Sequence, residues 1–432
     1  MPAHPHADTP PPPARSPFKL LRRFWTALGP GVTTGAADDD PSGIATYSIA
    51  GAQFGLGFLW TALFTWPLMA AVQAMCARIG MVTGRGIAAT LRRRVPRWLL
   101  VAISAALLVA NTINVGADLS GMADAAEMLT HVNSHIWVLC FGALIAWATI
   151  RLRYVILANT LKWLALILFA YLAAALAVGP QWGEVLRATV IPHMPHTGDE
   201  WATLVAIFGT TISPYLFFWQ ASQEVEEEKA IGRRTRGARR GATPYEIRRR
   251  KMDVGVGTFF SNVAMYFIIL TTALTLHPHG VTNPGTSRDV AQALVPIAGR
   301  AAGFLYTFGL IGTGALAIPT LAGSAAYALA ETFAWRQGID ERLSKARAFY
   351  GVVIVSIAIG VVLDFANVNP IRALYWTAVI NGVLAPLLLG GIIWIAANER
   401  VMQGQPSPRL ARYTVVVTTI VMLWAAVGMF LY

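Results

Sequence analysis

Three consecutive carboxylates, Asp38-Asp39-Asp40, followed by Pro41-Ser42-Gly43, stand in the middle of an apolar stretch that runs from about Leu20 to Trp60. No other feature restricts the fold as strongly. A carboxylate at bilayer depth costs at least ~2.5 kcal/mol on insertion scales and is retained almost only where it faces a cavity and binds something. Pro41 removes a backbone donor and Gly43 loosens the helix, so the helix is expected to break there. A break at the midplane frees carbonyls and half-helix ends, which is how membrane proteins build ion sites without exposing backbone to lipid. The segment reads as part of an ion-transport path.

That reading requires a membrane protein, and the composition supplies one. Of 432 residues, 55% are hydrophobic and 13% charged, against roughly 25% charged in soluble domains. Hydrophobic segments of at least ~18 residues fall near 25–53 (broken), 57–77, 98–124, 135–152, 154–178, 200–224 (broken), 254–276, 302–334, 348–365, 371–397 and 412–432. The expectation is an all-α membrane protein of eleven spans. A net charge of +12 would suit a nucleic-acid partner, but with a cytoplasmic N-terminus 29 of the 34 Lys and Arg fall in the tail and the inner loops. The basic excess is therefore a topology signal, as expected for a bacterial inner-membrane protein, and no nucleic-acid partner follows from it. Residues 1–19 read as a disordered Pro-rich cytoplasmic tail without the apolar core of a signal peptide. Cys76 and Cys140 have no metal-site or redox spacing and are expected to pack in the core. Lys162, inside span 5, lies close enough to the inner face to snorkel.

Residues 20–180 and 199–398 each contain five spans, and each set opens with an interrupted helix. The interruptions are Asp40-Pro41-Ser42-Gly43 in span 1 and Thr210-Thr211-Ile212-Ser213-Pro214-Tyr215 in span 6. An odd number of spans per half inserts the second half upside down. Paired proline-interrupted helices in two inverted halves point to a transporter's binding site between them. Span 11, residues 409–432, is an appendix to this 5+5 repeat.

Asp40 is the leading candidate ligand, because it immediately precedes the break and suits a hard divalent cation. Adjacent helical residues point about 100° apart, so Asp38 and Asp39 cannot all share its site. Gly43 offers a carbonyl, and Thr210 and Ser213 a hydroxyl, a carbonyl or both. Asn381, before Gly382 and Pro386 in span 10, is either an amide ligand or a packing residue bonded to neighbouring backbone. All of these ligands are oxygen, which favours Mg²⁺, Ca²⁺ or Mn²⁺ over Zn²⁺, Cu⁺ or Cd²⁺. With so few side chains available, waters must complete the shell, and a partly hydrated Mg²⁺ fits. Of the eight histidines, two lie in the tail and six in the outer loops, His135 at the outer edge of span 4. Asp118 is the clearest acid for a proton route, with Asp124 and Glu127 further along span 3. Asn111, Asn114 and Asn262 read as interhelical glue. The Glu224–Lys251 stretch is either a solvated loop with charge pairing at helix ends or an inner gate attached to the second half of span 6. No enzyme motif or cofactor fingerprint stands out.

Gly29-Pro30-Gly31, Asp40-Pro41 and Ala50-Gly51-Ala52-Gln53-Phe54-Gly55 resemble the first span of the NRAMP divalent-metal transporters, and the resemblance covers residues 20–432. It implies the LeuT-type inverted-repeat fold, with helices 1 and 6 broken at mid-membrane. Typical members read Asp-Pro-Gly-Asn in span 1 and Met-Pro-His in span 6, the Asp, Asn and Met binding metal. By position the Asp is kept as Asp40, the Asn falls on Gly43, the Met on Ser213, the His on Tyr215 and the preceding carbonyl ligand on Thr210. The family's Asp-Leu-Ala-Glu proton route falls on Asp118-Leu119-Ser120-Gly121, so its Glu is missing. Losing the sulfur relaxes selection against Mg²⁺ and Ca²⁺, and losing His and Glu weakens proton coupling. In this respect the chain is most similar to the NRAMP-related magnesium transporters.

The resulting expectation is a monomeric, alternating-access carrier of Mg²⁺ or Mn²⁺, uncoupled or weakly coupled to protons and without a resident cofactor. The alternatives are a proton-coupled Mn²⁺/Fe²⁺ symporter and an organic amine or amino-acid symporter on the same fold.

Overall fold

The computed structural model describes residues 38–92, 94–152, 166–366 and 368–432. The N-terminal tail, Gly29-Pro30-Gly31, the first half of span 1 and the Lys162 segment of span 5 lie outside the described residues. Among those described, nine stretches are long and apolar enough to cross a membrane. They account for the second half of span 1 and for spans 2–4 and 6–11.

Local chemistry sets where the helices near the centre start and stop. Asp40 is extended (φ −74°, ψ 169°) and caps α1, Pro41–Phe54, with Pro41 in the first turn; there a missing N–H leaves nothing unsatisfied. Gly55, at φ 56°, ends the helix. A 3₁₀ turn, Gly55–Phe58, leads into α2, Leu59–Thr83, which Gly84 closes in the left-handed conformation. A short helix α3, Ile87–Leu91, precedes α4, Arg97–Thr130, and α5, Ser134–Arg151. After α6, Ala170–Val178, and α7, Trp182–Val190, a Thr197/Glu200 capping box opens α8, Gly198–Thr211. That helix stops because Pro214 donates no hydrogen bond and disfavours helical geometry in the residue before it. Ser213 is extended (ψ 133°) and α9, Pro214–Ala230, starts immediately afterwards. A second capping box, Thr243/Glu246, opens α10, Pro244–Thr275. Then come α11, Ala302–Phe333, α12, Arg347–Asp364, α13, Pro370–Ala397, and α14, Arg409–Leu431.

The helices divide into an inside and an outside. The most apolar window of α8–α9 is entirely buried, whereas those of α5, α12 and α14 are only a third buried and present residues such as Trp147, Val362 and Leu410 outward. Cys140, expected in the core, is on this exposed outer face of α5; the apolar pattern of a lipid-facing helix does not separate its two sides. At the centre α1 packs on α10, α13 and α8, α8 packs on α13, and α9 packs on α2 and α11, while α4 lies along α11 and α12. The described helices thus place both breaks inside a ring of long helices, which is the LeuT-type arrangement.

Small residues make the closest approaches. A Cβ on Gly209 of α8 would collide with the Ala378 carbonyl and the Gly382 backbone of α13, and one on Gly51 of α1 would collide with Thr272 and the Ile269 carbonyl of α10. Around Gly390 nothing lies within 4 Å of such an atom. Gly209→Val is expected to destabilise the detergent-solubilised protein by ~1–3 kcal/mol through overpacking, seen as a lower thermal unfolding midpoint, while Gly390→Ala leaves the midpoint unchanged.

Candidate metal site

Asp40 is 1% exposed. Its Oδ1 accepts from the Ser42 hydroxyl at 2.6 Å and from the Gly43 amide at 2.8 Å, while Oδ2 accepts only a long 3.4 Å bond from the Tyr215 hydroxyl. One oxygen is occupied with capping α1, and the other keeps lone pairs for a ligand. The carboxylate also joins the two breaks, because Tyr215 stands in the first turn of α9.

The span 6 residues divide the work differently from the expectation. Ser213 Oγ lies 2.7 Å from both the Gly209 and the Thr210 carbonyls, to which it donates. The hydroxyl therefore closes the end of α8, and it occupies the Thr210 carbonyl that the family pattern offers to the ion. Thr210 Oγ1 is buried facing the Tyr47 hydroxyl, and among the described residues it has no partner of good hydrogen-bond geometry. A Cβ on Gly43 would lie 3.0 Å from this hydroxyl oxygen, 3.3 Å from the Tyr47 ring and 3.5 Å from Asp40 Oδ1. Asp40, Gly43 and Thr210 thus converge, with Thr210 contributing its side chain. Gly43 sits in the first turn of α1, where its carbonyl is directed along the helix. What it supplies is an amide for Asp40 and the space beside Thr210.

Two further helices, α4 and α13, bring polar groups here. Asn114 of α4 faces the Asp40 carboxyl, and neither its amide nitrogen nor its oxygen has a partner of hydrogen-bond geometry among the described residues. Asn111 behaves as glue, donating to the Leu321 carbonyl and to Ser324, and Asn262 likewise bonds Thr65 and the Thr258 carbonyl. Asn381, 1% exposed, lies in the stretch of α13 against which Gly209 packs, and among the described residues neither atom of its amide has a partner. Asp118 is wholly buried, and among the described residues neither of its oxygens is bonded. Asp124 and Glu127 instead accept from the Ser287 and Ser134 amides and act as caps. Tyr47, whose hydroxyl also lacks a partner, is a site residue that sequence reasoning left aside as a weak aromatic feature.

Asp38 and Asp39 point elsewhere, both accepting from Ser261 of α10, at 2.7 and 3.0 Å. Among the described residues no three of His, Cys, Asp and Glu are grouped to hold a metal. The arrangement is one loosely held carboxylate oxygen among hydroxyls and amides, with Asp118 within electrostatic reach of it. Tyr47 and Thr210 face each other and Asn114 faces Asp40, none with good hydrogen-bond geometry among the described residues; a buried polar group left poorly paired costs ~1–3 kcal/mol, so these groups favour a polar occupant, such as a cation that carries its own water.

Beneath this site the Glu224–Lys251 stretch forms a knot of charge. Arg250 of α10 pairs with Glu224 at 2.8 Å, with Asp253 at 2.5 Å and with Glu227, while Arg233 pairs with Glu246 at 2.5 Å. Glu224 and Asp253 are almost fully buried. Charge pairing at helix ends is thus present, its Glu224–Arg250–Asp253 part buried, while the loop between the two helices is mostly exposed; the pairing ties α9 to α10.

Comparison with known proteins adds the family and the fold. A family model described as natural resistance-associated macrophage protein-like (Nramp) matches residues 31–432. The divalent metal cation transporter MntH of Aeromonas hydrophila is 24% identical over 325 residues, 72% of this chain and 74% of its own. The manganese transporter of Eremococcus coleocola superposes with a TM-score of 0.75 at 16% identity, covering 97% of this chain and 89% of that one. MhsT in complex with L-phenylalanine superposes with a TM-score of 0.57 at 14% identity, over 93% and 97% of the two chains.

The geometry ranks the ligands. Asp40→Asn is expected to weaken Mn²⁺ binding, measured by calorimetry, at least about 100-fold, since a divalent ion beside a carboxylate in a partly polar interior gains several kcal/mol. Thr210→Val should weaken it several-fold, and Ser213→Ala, which removes only the cap of α8, should leave it within about threefold.

Proposed function

The chain belongs to the Nramp family, and from that membership and the site we propose that it carries Mg²⁺ and Mn²⁺ into the cell by alternating access around Asp40, with little or no proton coupling. As a divalent metal cation transporter it is a multi-pass membrane protein. We take it to sit as a monomer in the inner membrane with its N-terminus cytoplasmic, residues 20–180 and 199–398 being the two inverted repeats, and one helix bundle rocking against the other around the ion.

The observation that carries the choice of ion is the single loosely held carboxylate oxygen of Asp40, which accepts only a 3.4 Å bond from Tyr215 and faces the Asn114 amide. Such a site cannot strip a hard divalent ion of its water. Mg²⁺ keeps its waters most firmly, and an all-oxygen set discriminates weakly among Mg²⁺, Mn²⁺ and Ca²⁺. Where the family places a thioether, this chain has Ser213, whose hydroxyl is turned toward α8.

Weak coupling is supported by what surrounds Asp118. A Cβ on Gly121, where the family places its Glu, would approach Leu374 Cδ1 to 2.9 Å, so the space for a second carboxylate is filled by α13. Asp124 and Glu127 are engaged as caps, and Tyr215 stands where the family has His. Transport does not need the proton. At ~2.3 kcal/mol per charge per 100 mV, a divalent cation gains about twice that from the membrane potential alone.

In proteoliposomes with an imposed inside-negative potential, both Mg²⁺ and Mn²⁺ should enter and compete, Cd²⁺ should compete poorly, and Asp40→Ala should abolish all flux. A pH dye in the lumen should stay unchanged during uptake. Strong Cd²⁺ preference would contradict the oxygen-only site, and metal-driven acidification would return Asp118 to a proton route.

A further inference from the structure

On the face that carries the basic loops, a concavity of about 450 Å³ opens between the α2–α3 turn, the end of α9, the loop that follows it and the end of α11. Six cationic side chains from four separate segments line it: Arg85, Arg92, Lys229, Arg236, Arg239 and Arg336. Only two carboxylates, Glu331 and Glu341, face them, and both are already engaged. Glu331 accepts from the Ala89 amide at 3.0 Å, from Gln337 at 3.0 Å and from Ser222 at 3.4 Å, while Glu341 pairs with Arg336 at 3.2 Å. Lys229 pairs with Glu226.

Four guanidinium groups are left without a close carboxylate partner, Glu228 lying within electrostatic reach of Arg239 but making no salt bridge to it. Among the described residues Arg85, Arg92, Arg236 and Arg239 make no salt bridge. Arg92 donates to the Glu331 backbone carbonyl, and Arg239 to those of Arg233 and Arg234. The Nε of Arg239 is buried with no acceptor. The positive-inside bias explains why these residues are on this side of the membrane. It does not explain their convergence on one hollow, where like charges repel unless an anion joins them.

The hollow is also firmly built. Gly84, at φ 62°, packs so closely on the Arg239 backbone that a Cβ there would come within 2.7 Å of its carbonyl, and one on Gly86 would collide with the Glu331 carboxylate. The Gly241 amide donates to the Val82 carbonyl at 2.9 Å. Backbone contacts therefore fix the arginines relative to one another before any ligand arrives.

We propose that this concavity binds a clustered phosphate group, either a soluble polyphosphate or the phosphomonoester headgroup of an anionic lipid, and that its occupation braces α9 against α2 and α11 and so slows transport. Guanidinium groups match phosphate oxygens in paired, charge-assisted hydrogen bonds. The bracing follows from the wall of the hollow, to which α9 contributes Val225 and Lys229; α9 is the half-helix that begins at Pro214 beside the ion site. The effect on transport rests on the function proposed above, whereas the binding does not.

The full chain in neutral detergent with EDTA, titrated with tripolyphosphate by calorimetry, tests the soluble ligand. Native mass spectrometry of the same protein with phosphatidic acid or phosphatidylcholine tests the lipid. Arg85→Gln/Arg236→Gln removes two charges that hold no ion pair, so folding is unaffected. Saturable tripolyphosphate binding, weakened at least about tenfold in the double variant, identifies a soluble polyphosphate. Retention of phosphatidic acid over phosphatidylcholine that the variant abolishes identifies a lipid headgroup. Binding of neither probe, or equal binding to wild type and variant, overturns the site. In proteoliposomes that take up Mn²⁺, the bound probe should slow uptake by the wild type and not by the variant; equal uptake with and without it overturns the bracing. Liposomes that take up no metal under any condition refute the transport reading and leave the binding result standing.

Discussion

The Asp40 carboxylate caps a helix inside the membrane, and the rest of the centre is arranged around that contact. Breaking span 1 exposes first-turn amides of α1 where water is scarce, and Asp40 satisfies one of them through Gly43 while Ser42 holds the same oxygen. The capping bond fixes the carboxylate in place. Its second oxygen is turned to the interior, where a negative charge that would be intolerable against lipid is available to the cation proposed above. The break in span 6 is built the other way. Ser213 makes no side-chain bond to the α9 it precedes and turns back to α8, so this second break contributes neutral oxygen and no charge.

Much of this was legible in the sequence, because charge and proline inside an apolar run are conspicuous. The breaks at Pro41 and Pro214 and the leading place of Asp40 follow from local chemistry that needs no partner. The choice between Ser213 and Thr210 could not be read the same way. Both carry hydroxyls, and which one turns to its own helix depends on where the last carbonyls of α8 lie once Pro214 has stopped it. Asn111 and Asn114 are three residues apart on one helix and look alike in sequence, yet one meets a backbone carbonyl of α11 and the other the Asp40 carboxyl. Cys140 was misplaced for a related reason: in a bilayer both faces of an outer helix are apolar, so hydropathy does not tell inside from outside.

The charge knot shows a third kind of limit. A run of acids followed by a run of bases reads as a solvated loop, yet Arg250 is drawn into the protein by Glu224 and Asp253. A buried guanidinium with several acceptors is tolerated as long as all of them remain. Removing any one leaves the others unbalanced. The same loop sends Arg236 and Arg239 to another side, where among the described residues neither forms a salt bridge, so the acids and bases of this stretch do not simply cancel.

The direct backbone contact between Gly209 and Gly382 carries a mechanical consequence. Where two helices touch through side chains, one can slide by changing rotamers; where they touch through main chain there is no slack. A tilt of α8, which carries Thr210, would therefore pull on α13, which carries Asn381. Gly51 clamps α1 to α10 in the same manner, so Asp40 rides with a different partner. The seam along which this molecule can hinge is drawn by its glycines, and it passes between the acid and the amide.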